Sequence, residues 1–124
     1  PDSFALENLL KFTHLEVSAL NSVVLSNQNP ERLSFGMPEL DHTGMPKLKA
    51  SIKSLGELKK LSLDYQTVLF GNFFNGTLIK RQAILKVGNI NRDLFIWGDE
   101  IDMAMRLMYF APIRTVLNAI HYHP

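Results

Sequence analysis

Three carboxylates fall within four residues at Asp99-Glu100-Ile101-Asp102, directly after the apolar run Phe95-Ile96-Trp97 and the turn residue Gly98. Burying such a cluster is costly, so its placement needs a reason. One reason is structural: a helix starting near Asp99 places Asp99 and Glu100 at its N-terminus, where the positive end of the helix dipole favours acids. The other is chemical: a carboxylate beside an aromatic side chain and a tight glycine turn can face a cleft and act as a general base. His121 and His123 form a second candidate. Two apart on an extended segment, they project to one face. Two imidazoles on one face are ligand material for Mn, Fe or Zn; the plainer reading is a partly exposed pair at a sheet edge. Gly71 and Gly76, flanked by Phe70, Phe73 and Phe74, can keep the backbone low so that a ligand approaches. Asn75-Gly76-Thr77 has the form of a glycosylation acceptor, a match that chance explains without a secretion signal.

These residues need elements to hold them. Asp2 or Ser3 can cap a helix, and Leu6, Leu9, Leu10 and Val17 recur at helical spacing, which predicts a helix near 3–15. Val23-Val24-Leu25 reads as a buried strand stopped by Asn27, Asn29 and Pro30. Gly36, Pro38, Asp41, Gly44 and Pro46 argue for a loop over 34–47. Leu48, Ile52, Leu55 and Leu58 share a helical stripe among Lys47, Lys49, Lys53, Lys59 and Lys60, a solvated face or else a phosphate or anionic-membrane surface. Residues 66–79 read as extended. Lys80–Val87 reads as a short helix closed by Gly88 in a left-handed cap. A helix is predicted from Asp99 to about Phe110, with Ile101, Met105 and Met108 on its core stripe and Asp102 and Arg106 paired at i,i+4. A strand over Thr115-Val116-Leu117, continuing to Ile120-His121-Tyr122-His123, ends the chain. Alternating helices and strands give an α/β fold with a mixed or parallel sheet flanked by helices, strands near 67–70, 73–79 and 115–122 sharing it.

Length and composition bound the rest. At 124 residues, 46% hydrophobic and 20% charged, this is ordinary globular material for one domain, not a disordered or low-complexity chain. The absence of cysteine excludes a disulfide scaffold and Cys-based zinc sites and fits a reducing cytoplasm. A net charge of +1 gives no reason to expect nucleic acid as a partner. No apolar run reaches the roughly 18 residues of a membrane span. A Walker loop, a G-x-G-x-x-G, a serine nucleophile elbow and an H-E-x-x-H are all missing, which removes the commonest nucleotide and protease readings. A soluble cytoplasmic domain is expected, with the inner face of a membrane as the alternative.

Taken together, the series Asn72-Phe-Phe-Asn-Gly-Thr-Leu-Ile-Lys-Arg, Lys86-Val-Gly, Asp93-Leu-Phe-Ile-Trp-Gly-Asp-Glu-Ile-Asp, Met105-Arg-Leu and the terminal His123 resembles the C-terminal half of inverting GT-A glycosyltransferases. The similarity is greatest to bacterial family 2 enzymes of the galactofuranosyl- and rhamnosyltransferase kind. It covers residues 66–124 well and residues 1–25 more loosely, and leaves 30–62 unmatched. The resemblance implies a partial GT-A fold that transfers a sugar from a nucleotide-sugar donor to a hydroxyl of a glycan or lipid-linked acceptor, with inversion, in polysaccharide or cell-surface glycan synthesis. By register from Arg106 it implies Glu100 as the general base and Asp99 as its acidic neighbour. It also implies an acceptor pocket of Trp97, Phe74, Asn75 and Gly76, and His123 as a ligand to Mn or Mg beside an Asp-x-Asp. The family more often has Asp at position 100 and an aromatic or acidic residue at 98, so the base assignment between Glu100 and Asp99 stays open.

No Asp-x-Asp occurs in these residues. The nucleotide-binding half is therefore expected upstream of Pro1, making 1–124 an acceptor-side fragment that does not turn over or hold a metal tightly by itself. Two further classes compete: a non-catalytic interaction module docking through its basic 47–60 segment, and a small metal-binding protein using His121, His123 and an acid.

Overall fold

The computed structural model describes residues 4–62, 64, 66–71, 76–88 and 99–123, with Asp99–Ile101 described as backbone alone. Its elements in chain order are α1 (Phe4–Leu10), β1 (Ala19–Ser26), β2 (Arg32–Met37), β3 (Ile52–Ser54), α2 (Leu55–Lys60), β4 (Thr67–Leu69), β5 (Thr77–Ile79), α3 (Arg81–Val87), α4 (Asp99–Phe110) and β6 (Ile113–His123). The class is α/β, as the alternating pattern predicts.

The strands form one mixed sheet in the order β3-β2-β1-β6-β4, and β5 also pairs with β1. β1 is buried from Ala19 to Leu25, the pattern of a strand covered on both faces. It runs parallel to β6, the one parallel pair among the described strands. Its other edge is shared. β5 pairs with Ala19–Asn21 and β2 joins at Leu25, so the sheet forks beside Ser22. Along β6, the five-residue step from Thr115 to Ile120 faces a two-residue step on β1, which arches β6 at that level.

Side-chain alternation along β1 divides the core. Leu20 packs with Leu9, Val17, Val116 and Ala119 under α1. On the opposite face Ala19 packs with Ala83, Met103, Ala104, Leu107 and Ile113 under α3 and α4. Val23 and Leu25 join Leu33, Met37, Ile52, Leu55 and Leu58 under β2, β3 and α2. Each fully buried Leu, Ile or Met contributes about 1.5–3 kcal/mol of transfer free energy.

Several sequence expectations need correction. The 34–47 loop is wrong at its start. β2 runs to Met37 because Leu33 and Met37 bury into the core, and the breakers act only from Pro38. There Asp41 organises a turn, accepting from Thr43 N at 2.8 Å and Met45 N at 3.1 Å, with Gly44 at φ 88°. The helix read over 48–58 is half strand: Ile52 pairs with Met37, and α2 starts only at Leu55, capped by Ser54 Oγ accepting from Glu57 N at 3.1 Å. α1 ends at Leu10, short of residue 15. Gly88 has positive φ (84°) but ψ of 177°, so it closes α3 in an extended glycine-specific conformation, not the left-handed helical one. In α4 the buried stripe is Met103, Ala104 and Leu107, with Met105 and Met108 only half-buried. That helix is apolar over much of its circumference, and the small side chains of Ala19, Ala83 and Ala104 select the face that packs closest. The strand predicted over 73–79 is described at Thr77–Ile79; residues 73–75 lie outside the described residues. No described helix is long and apolar enough to cross a membrane.

Candidate functional site

α4 begins at Asp99, so Asp99 and Glu100 occupy its first turn, where the sequence places them. Two clamps fix that helix. Near its start, Arg106 Nη2 lies 3.0 Å from Asp102 Oδ2, the predicted i,i+4 pair, and Nε donates to the same oxygen at 3.1 Å. Arg106 Nη1 also donates to Val87 O at 2.5 Å, satisfying a carbonyl at the C-terminal end of α3 that the helix itself leaves open. At the far end Ser18 N and Oγ donate to Pro112 O and Ala111 O, both at 2.9 Å, tying α4 to the start of β1. Both clamps act on the helix from Asp102 onward, joining it to α3 and to the sheet.

Gly76 and His121 come together at the fork. Gly76 has φ of 78°, and its carbonyl accepts from Ser22 N at 2.9 Å. A Cβ at this position would lie 2.2 Å from Ser22 Oγ and 2.7 Å from His121 Cε1. His121 Nδ1 is 3.0 Å from Ser22 Oγ. Desolvation by burial pulls the His121 pKa below its ordinary value. The Ser22–His121 pair lies under the Gly76 backbone and orders the fork. Beside it is an open pocket of about 330 Å³ walled by Leu6, Leu9 and Leu78. A larger cavity, near 580 Å³, lies elsewhere, between Glu39, Asp64 and Arg114, and touches no predicted site residue.

Gly71 and Gly76 do keep the backbone low, but what they approach is the sheet's own side chains and not the ligand expected from the sequence. A Cβ at Gly71 would come 2.1 Å from Thr115 Oγ1 and 2.5 Å from Asn21 Nδ2. Asn21 is fully buried; its Oδ1 accepts from Thr77 Oγ1 at 2.6 Å, while its Nδ2 has no hydrogen-bond partner among the described residues. A buried amide donor without a partner costs about 1–3 kcal/mol. Next to it Phe70 holds φ of 70°, a strained conformation for a residue with a side chain. Sequence reasoning missed Asn21, Ser22 and Thr115. Polar residues inside a strand carry no pattern of their own, and only the nearby glycines hinted at close approach.

His123 shares a face with His121 and is exposed at the end of β6. Its ring meets Phe35 edge-on at 5.2 Å. β6 is an interior strand overall, but β4 reaches only Arg114–Val116, so the histidine end pairs with β1 alone among the described strands. Among the described residues no three His, Asp or Glu side chains group as a metal site. The described residues do not by themselves fit Mn or Mg, because a hard cation wants several oxygen ligands and His123 offers one nitrogen. Trp97, Phe74 and Asn75 lie outside the described residues, as do the side chains of Asp99 and Glu100. No protein-family model, curated protein or solved structure matches this chain.

Proposed function

We propose that this chain is the acceptor-side part of an inverting GT-A glycosyltransferase of family 2 type, with Glu100 as general base and Asp99 as the acid that stays with the helix terminus. The observation that supports it best is the start of α4 at Asp99, which puts both acids in the first turn of a helix that Arg106 ties to Val87 and Ser18 ties at Ala111. General-base work needs a carboxylate held within about 2.6–3.2 Å of the acceptor hydroxyl.

The reaction is a single displacement. The acceptor oxygen forms its bond to the anomeric carbon as the bond from that carbon to the donor's diphosphate breaks. The bonding pair leaves with the diphosphate, and the hydroxyl proton passes to Glu100. The resemblance would assign Trp97, Phe74, Asn75 and Gly76 to the acceptor side.

The test is product analysis with the protein from the full reading frame. Incubation with a panel of nucleoside-diphospho-sugars and glycan acceptors should release nucleoside diphosphate and give a linkage of inverted anomeric configuration. Retained configuration, or no release with any donor, would overturn the proposal.

A further inference from the structure

The stretch from Lys47 to Lys60 carries five lysines, Lys47, Lys49, Lys53, Lys59 and Lys60, against one acid, Glu57. That excess is larger than the net +1 of the whole chain, so the remaining residues are net acidic. The fold sets these lysines apart. β3 is the outermost strand of the sheet and α2 continues directly from it, while the candidate site is built on α4, β1, β5 and β6. All five side chains are exposed. Lys47 stands 3.8 Å from Glu39, whereas Lys49, Lys53, Lys59 and Lys60 have no ion-pair partner among the described residues.

Apolar side chains are interleaved with this charge. Leu48, between Lys47 and Lys49, is 108% exposed, further out than any other large hydrophobic residue described. Met45 is 38% exposed on the Asp41 turn, and Leu61 is 50% exposed at the end of α2. A lysine edge that only blocks strand pairing has no use for a fully exposed leucine between its first two lysines. The combination of basic side chains with protruding aliphatic ones is that of a surface lying in a lipid interface. The stretch contains neither arginine nor an aromatic residue, the types that read phosphates and stack on bases.

We propose that this lobe docks on an anionic lipid bilayer, with the lysines against the headgroups and Leu48, assisted by Met45, entering the interface. The proposal is independent of the transferase reading, because no residue is shared between the two.

Sedimentation of the chain with vesicles tests it. On phosphatidylcholine containing about a third phosphatidylglycerol, partitioning should exceed that on phosphatidylcholine alone by at least tenfold, since each lysine near an anionic surface is worth about fivefold. Raising salt from about 0.05 to about 0.5 M should remove most of that difference by screening. The triple variant Lys49→Glu, Lys53→Glu, Lys59→Glu should lose at least about tenfold, and Leu48→Ser about threefold, with helix content checked by circular dichroism. The salt series on the unaltered chain needs no variant to fold. Equal binding to neutral vesicles, no binding to either, or insensitivity to salt would overturn the proposal. So would Leu48→Ser binding like the parent while duplex DNA or polyglutamate competes as strongly as the anionic vesicles.

Discussion

Gly76→Ala tests whether the fork at Ser22 is packed as tightly as its geometry requires. Two costs add. A residue with a Cβ at φ of 78° is strained by roughly 1–2 kcal/mol. The new methyl would also stand 2.2 Å from Ser22 Oγ and 2.7 Å from His121 Cε1, both held by their mutual bond, an overpacking worth about 1–3 kcal/mol. The expected loss is about 3 kcal/mol, which at about 2 kcal/mol per molar moves a urea midpoint down by about 1.5 M. Gly44→Ala separates the two costs: its φ is 88° and nothing lies within 4 Å of the added Cβ, so it should lose about 1 kcal/mol from backbone strain alone. Ser22→Ala should rescue part of the Gly76→Ala loss in a double-mutant cycle, with a coupling of at least about 1 kcal/mol. Urea unfolding followed by far-UV circular dichroism on the parent, the three single variants and the Gly76→Ala/Ser22→Ala double variant reads all of this. If Gly76→Ala costs no more than Gly44→Ala, or if Ser22→Ala gives no rescue, the fork is not packed as described.

Arg106→Met should destabilise by about 1–2 kcal/mol, because it leaves Val87 O and a part-buried Asp102 without their donor. Arg106→Lys should restore less than half of that loss in the same urea assay, since an ammonium cannot reach both groups as a guanidinium does; full restoration would show that only charge matters there. The lowered pKa of His121 makes a pH prediction. The native state binds fewer protons than the unfolded state, whose imidazole titrates near 6.5, so stability present above that value is lost as pH falls through it. The urea midpoint should therefore drop between about pH 7.5 and pH 5.5, and His121→Gln should flatten the drop; an equal slope in the variant would place the titrating group elsewhere.

How much of this was legible in the sequence depends on the element. α4, α3 and the histidine strand announce themselves because each joins a regular apolar period to a plain terminator, Gly88 or Pro112. The Asp102–Arg106 pair follows from helical spacing alone. The lysine-rich region misled because Leu48, Ile52, Leu55 and Leu58 fit a helical period, yet Ile52 is claimed by Met37 across the sheet and Leu48 by nothing. Tertiary pairing, invisible in a linear pattern, decided between strand and helix there. The face of α4 was equally ambiguous, since methionine and leucine surround it and three alanines on neighbouring elements choose the side. The polar layer of Asn21, Ser22 and Thr115 was illegible. It depends on the backbone passing over it at Gly71 and Gly76, and a glycine does not say what it approaches.

The transferase reading rests most heavily on Glu100, and its exchange for glutamine is the direct measurement. In the protein from the full reading frame, Glu100→Gln keeps size and hydrogen bonding but cannot take a proton. The rate of sugar transfer at saturating donor should fall by about 10²-fold or more, the scale of general-base loss, while donor affinity by calorimetry stays within about twofold. Asp99→Asn should retain most of the rate. A dead Asp99→Asn beside a near-wild-type Glu100→Gln would exchange the two roles, and full activity in both would contradict the assignment of this helix start as the catalytic site.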